Sequence, residues 1–374
     1  MKPARRSAGA LAAIITATAG LLGGTVLTAG AASAGGFPAF TGPLHHVTTI
    51  ASTVPGNGDV NPYGVAVVPR STGDLRQGNV LVSNFNDQAN VQGTGTTIVQ
   101  VTPSGHVSLF ARISPHLSGC PGGVGLTTAL TVLRSGWVIV GSLPTRNGSI
   151  SGSGCLIVLD RWGHVRETFA GQGINGPWDM ATLDLGHQAV LFVTNVLNGT
   201  VAAKGGTVYG GTVLRLVVQI PASGLPWIQF STTIGSGFPE QLNSAALVIG
   251  PTGVGLGPDG VLYVADTLAN RVAGIPDAVF RGSSDGRGFT VSAGHHLNGE
   301  LGLVVAPGGD ILTVNSGNGN LVEITPGGHQ IAVRTLDSSG SPPGAGALFG
   351  LAVKPGHDAV YFVDDATNTL DLLH

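Results

Sequence analysis

Short apolar runs broken by Gly, Pro, Asn and Asp recur along nearly the whole chain, and almost none of it carries a helical period. The clearest instance is Thr252-Gly253-Val254-Gly255-Leu256, then Gly257-Pro258-Asp259-Gly260, then Val261-Leu262-Tyr263-Val264-Ala265-Asp266. This is a strand, a tight turn and a second strand ending on a carboxylate. The unit returns at 62–84, 301–315 and 349–365, and more weakly at 126–142 and 177–195, making six copies. Third strands follow, such as Thr97-Ile98-Val99-Gln100-Val101, Leu156-Ile157-Val158-Leu159 and Leu321-Val322-Glu323-Ile324. Fourth strands begin after a Gly-His step, at Gly105-His106, Gly163-His164 and Gly328-His329. The runs are continuous rather than alternating, the pattern of strands buried on both faces.

One fourth strand is displaced to the start, at His45-His46-Val47-Thr48-Thr49-Ile50, while the last copy stops after its third strand at 369–373. An orphan outer strand at one end and a missing one at the other predict ring closure, with residues 44–51 pairing with 369–373 and leaving no exposed edge. The expected fold is an all-β, six-bladed β-propeller spanning residues 35–374 as a single domain.

Composition agrees. Charged residues are 10% of the chain, with 61 Gly and 22 Pro, and the mean hydropathy is +0.32; abundant Val, Leu and Ile exclude disorder. Lys2, Arg5 and Arg6 precede an apolar stretch over 8–29 and the small-residue site Ala32-Ser33-Ala34, which predicts a signal peptide over 1–34. Its removal changes the formal charge from −3 to −6, leaving fourteen basic against twenty acidic side chains. No basic stripe remains, so nucleic acid is excluded as a partner, and no stable membrane insertion is expected once the signal is cleaved. The expected product is a monomer, secreted or retained at the cell envelope. Cys120 and Cys155, both at the second copy, are expected to form a disulfide in that setting.

The repeat resembles the NHL repeat, which carries a Pro-x-Gly-Val-Ala-Val strand, a Pro-x-Gly turn and a Tyr-Val-Ala-Asp strand followed by Asn-Arg. Residues 252–271 match it closely, including Asn270-Arg271, and the other copies match in part. The chain is similar to exported bacterial NHL proteins, which are close in shape to SMP-30/gluconolactonase-like propellers. That resemblance carries fold rather than function.

Aligning the copies on their second strands gives a polar column: Asn84, Ser142, Asn195, Asp266, Asn315 and Asp365. Such a column would ring one mouth of the channel with oxygens, suiting Ca²⁺ or another divalent cation, or would cap one turn per blade with no ligand. Departures from the repeat add Asn61, Tyr63, Trp178, Asp179, Asn298 and Glu300 at the same mouth. The SMP-30 resemblance implies a metal held by a Glu, one or two Asn and an Asp, which Glu300, Asn195, Asp266 and Asp179 could imitate, with Asn315 and Asp365 as further donors. Asn61, Tyr63, Asn84, Trp178, Asp179 and Asn298 are the expected ligand-binding set. His295-His296 is the one histidine pair kept as a candidate. Gly282–Gly286 fits a nucleophile-elbow pattern and Gly255–Gly260 a dinucleotide pattern, but neither leads into a helix. The leading expectation is a non-catalytic propeller binding a small molecule, glycan or protein at the mouth. The rival is a divalent-cation-dependent lactonase or lyase of the SMP-30-like kind.

Overall fold

The apolar runs become strands because each can cover both faces. Second strands Val138–Ser142, Leu262–Asp266, Ile311–Asn315 and Val360–Asp364 are buried along their whole length, sandwiched between neighbouring sheets. A computed structural model describes residues 38–244, 246–356 and 358–374; the expected signal peptide lies outside them.

The described chain is a six-bladed β-propeller of antiparallel sheets. Blade 1 runs through Val60–Val67, Val80–Asn86, Thr97–Val101 and Val107–Arg112. Blade 2 uses Leu130–Val132, Val138–Ser142, Cys155–Leu159 and Val165–Phe169; blade 4 uses Pro251–Leu256, Leu262–Asp266, Arg271–Ile275 and Phe289–Ala293. Blade 5 uses Glu300–Val305, Ile311–Asn315, Asn320–Ile324 and Gln330–Thr335. Blade 3 departs from the expected size. After Gly176–Asp184 and Gln188–Val196 come strands of 12 and 17 residues, Val208–Gln219 and Trp227–Asn243, and a short fifth strand, Leu247–Ile249.

Blade 6 joins Leu348–Val353, Val360–Asp364 and Thr369–Leu373 to Val47–Ser52 from the start of the chain, with Val47 opposite Leu373 and Ser52 opposite Thr369. The expected ring closure is therefore formed. It continues upstream, where Thr41 donates its N–H and hydroxyl to the buried Glu323 carboxylate of blade 5. Cys120 and Cys155 form the expected disulfide, closing a sequence separation of 35 residues.

Around the axis, inner strands crowd one another. A Cβ on Gly302 would lie 2.1 Å from the Phe349 carbonyl oxygen, and one on Gly350 would lie 2.0 Å from that of Tyr63. The glycine of the repeat is thus a requirement of close backbone approach. The pairing register slips beside this position in blades 1, 3, 4, 5 and 6, a bulge that re-aims the preceding side chain.

Candidate functional site

The inner strands surround a bore with a cavity of about 380 Å³. Along them, burial is complete at the starts and relaxes toward the ends: Asn61, Pro62, Tyr63 and Gly64 are buried, while Val65 and Val67 are half-buried, and Glu300–Val305 repeats the trend. The bore is closed at the strand starts and open at the turns joining inner to second strands. The plug is aromatic and aliphatic: Tyr63, Phe85, Trp178, Phe349, Leu126 and Leu301. Tyr63 packs on Phe349 at 5.3 Å between ring centroids and edge-on to Trp178 at 5.9 Å. The Trp178 indole N–H donates to the Tyr63 hydroxyl at 2.7 Å.

The face expected to be a mouth is thus sealed, because the residue after each strand-start Pro turns inward and in blades 1 and 3 is aromatic. Asp179 occupies the position held by Gly64, Ala129, Gly253, Gly302 and Gly350 in the other blades. Its side chain reaches the bore, where it is the only carboxylate among the described lining residues. It keeps part of its surface open to the cavity but is surrounded by protein, and burial pushes it up to about 8 against one hydrogen bond from the Met180 N–H at 2.8 Å. Tyr63 is raised well above the usual phenol value by burial and by the charge of Asp179, with the Trp178 hydrogen bond opposing. A carboxyl held neutral at pH 7 by the protein around it can donate a proton or a hydrogen bond into the cavity.

The polar column is a set of buried anchors. Asn84 donates to the Thr53 carbonyl at 2.8 Å, and Ser142 accepts from the Gly125 N–H at 2.9 Å. Asn195 accepts from the N–H groups of Asn175 and Gly176 and donates to Gly173 and Thr212. Asn315 accepts from the Asn298 N–H and donates to the His296 carbonyl and to Asn318. Asp266 pairs with Arg271 at 2.8 Å and Arg287 at 2.9 Å. The sixth member is Asp364, which ends its strand opposite Leu348 and Thr369, and not Asp365, one residue further on. Asp365 is pushed up to about 7 by burial and the neighbouring Asp364 charge, and lies against Asn61. Asn61 holds a φ of 65° and donates its N–H to Asn368. Asn298 and the His295-His296 pair are exposed.

Glu300 is fully buried and neither oxygen makes a well-formed hydrogen bond. Burial pushes it up to about 9, against the pull of its own N–H and that of Arg271. Glu240, which the sequence reading passed over, is also fully buried; it accepts from the Asn198 N–H at 2.7 Å and is pushed up to about 7 by burial.

These donors do not fit a shared cation. Asp266 is neutralised by two guanidinium groups, Asn195 has its amide fully engaged, and Asp179 faces the bore. No group of three or more His, Cys, Asp or Glu among the described residues converges on one point. The sequence signal for Asp179 was the break in the repeat, a carboxylate where close approach elsewhere demands Gly or Ala.

No protein-family model and no curated protein matches the chain. Solved structures do. A gluconolactonase from Xanthomonas campestris matches with a TM-score of 0.55 at 13% identity, over 87% of this chain and 88% of that one. A glucose dehydrogenase-type oxidoreductase from Thermus thermophilus matches with a TM-score of 0.52 at 16% identity, over 87% and 98%. An inactive variant of virginiamycin B lyase from Staphylococcus aureus, solved with quinupristin, matches with a TM-score of 0.50 at 12% identity, over 87% and 98%. At these identities the likeness is one of fold.

Proposed function

We propose that this protein is an enzyme of its bore, opening a lactone or related small cyclic ester with Asp179 as the acid–base group. The observation that carries this reading is a single carboxyl, neutral near pH 7, placed inside a cavity of small-molecule size. In hydrolysis, water adds to the ester carbonyl carbon and the ring C–O bond breaks. The Asp179 proton passes to the leaving oxygen, and a proton from the attacking water restores the acid. Tyr63, beside Asp179, would orient the carbonyl. The gluconolactonase and lyase names among the fold neighbours support this choice over a passive binder. The SMP-30-like cation remains outside the scheme, since the donor set does not converge.

We further place the protein outside the cytoplasm. The disulfide supports export, and residues 1–34 read as a signal peptide. The NHL-type repeat is the sequence class we assign to its blades.

A panel of sugar and aliphatic lactones, followed by acid release in a pH-stat, tests the reaction. Because the acid form is the active one, turnover should hold below and fall above about pH 8. Asp179→Asn should lose roughly 100-fold or more in kcat. Full activity in Asp179→Asn would sink the assignment. A second reading, a ligand-binding propeller without turnover, is favoured by Asp179 having no second carboxylate beside it among the described lining residues of the bore. Saturable lactone binding with no acid release would establish it instead.

A further inference from the structure

Three of the four tryptophans lie outside the plug, and two of them, Trp137 and Trp162, line one place. Two adjoining hollows of about 310 and 470 Å³ share Ser135, Trp137, Arg161 and Gly224. Their walls come from the inner–second and third–outer turns of blades 2 and 3, on the face where the bore opens. His187 and Leu225 complete the far side.

The turn that brings Arg161 and Trp162 is irregular in composition, not in shape. Its counterparts read Thr102-Pro103-Ser104-Gly105-His106 and Thr325-Pro326-Gly327-Gly328-His329, whereas blade 2 has Asp160-Arg161-Trp162-Gly163-His164. All three close the same way, the N–H of the first residue donating to the carbonyl of the His. The turn therefore needs neither a guanidinium nor an indole, and Trp162 is left 47% exposed. Arg161 stacks over it at 5.0 Å from the ring centroid.

Three donors that line the groove lack a strong acceptor. Neither indole N–H, of Trp137 or of Trp162, finds a partner among the described residues, and the Arg161 guanidinium has only a 3.4 Å contact with the Thr72 hydroxyl. The local carboxylates are already engaged. Asp160 accepts from the N–H groups of Trp162 and His164 and from Arg166. Asp184 accepts from the N–H groups of Arg134 and Gly186. An occupant must supply acceptors to these donors and a flat apolar face to the indoles.

We propose that this groove between blades 2 and 3 binds an acidic carbohydrate, the C–H face of a sugar resting on the indoles and its carboxylate paired with Arg161. A neutral glycan would leave the guanidinium unmatched, and an acidic side chain on a peptide would leave the aromatic surface uncovered. The site is separate from the bore and does not depend on its chemistry.

Titrating the full mature chain with trigalacturonate, against maltotriose as the neutral control, tests the site through the indole N–H resonances. The Trp137 and Trp162 signals should shift on trigalacturonate addition while that of Trp178 stays fixed. Affinity for maltotriose should be about tenfold or more weaker. Arg161→Ala and Trp162→Ala should each weaken trigalacturonate about tenfold, with lactone turnover unchanged. Arg161→Lys, which keeps the charge, should recover part of the affinity and serves if the alanine variant folds poorly. Equal binding of the two sugars, or no shift at millimolar trigalacturonate, would overturn the proposal. Shifts produced instead by an aromatic, acidic peptide at comparable concentration would overturn the carbohydrate assignment.

Discussion

Two buried carboxyls, Asp179 and Glu300, are both held neutral at pH 7 by loss of water, yet only one can act on a ligand. Asp179 opens on the bore, whereas Glu300 is sealed between blades with both oxygens unmatched. Glu300 therefore bears on stability. Below about 4.5 both folded and unfolded chains carry its proton, and there is no penalty. As pH rises past that value the unfolded chain ionises while the folded one stays protonated up to about 9, so stability falls through this window. Glu300→Gln removes the titration. Its melting temperature should exceed that of the native protein by roughly 5 °C at pH 8, the gap narrowing toward pH 4. Parallel curves across that range would show that Glu300 does not titrate as described.

At the scale of strands and blades, the ring is held by an element from the far end of the chain. Val47–Ser52 covers the edge of Thr369–Leu373, and Thr41 anchors the approach on Glu323. Deleting residues 38–52 uncovers that strand and removes the Phe40 and Thr41 donors of the buried Glu323. The truncated protein should melt at least about 10 °C lower and bind a hydrophobic dye; an unchanged melting curve would refute closure as the source of stability. The disulfide acts separately, fixing the loop into blade 2, and its 35-residue separation is worth about 3–4 kcal/mol in the chain-entropy account. This layer was the most legible in the sequence, because each blade repeats one strand–turn–strand code and the displaced outer strand at 45–50 announces closure. The site was far less legible. Repetition made the polar column conspicuous, but Asn84, Ser142, Asn195 and Asn315 repeat because blades 1, 2, 3 and 5 each tie down the loop before their inner strand. Which end of the bore is open depends on which way Tyr63, Trp178 and Phe349 turn at the bulges, and spacing alone does not encode that. The long outer strand of blade 3, Trp227–Asn243, is hard to read because Gly, Ser and Thr dilute its apolar positions.

For the molecule as a whole, the sealed end and the open end make the two faces unequal. The aromatic plug bars the face carrying the loops before the inner strands, so anything reaching Asp179 must pass the ends of the inner strands, where Val132, Thr182, Leu256 and Val353 form part of the lining. The groove with Trp137 and Trp162 lies on that same face. Access can be tested by narrowing one face at a time. Thr182→Trp adds bulk at a lining position near the open rim, further along the strand that carries Asp179. It should lower kcat/KM for a lactone by tenfold or more, roughly the effect of excluding a ligand from a preformed cavity, in an assay run well below the variant's own melting temperature, since the Thr182 hydroxyl is buried. Ala89→Trp adds the same bulk to an exposed loop on the sealed face, and there turnover should not change. The reverse result, a block from Ala89→Trp with none from Thr182→Trp, would mean that the plug opens and that substrate enters through the face where Tyr63 and Trp178 now meet.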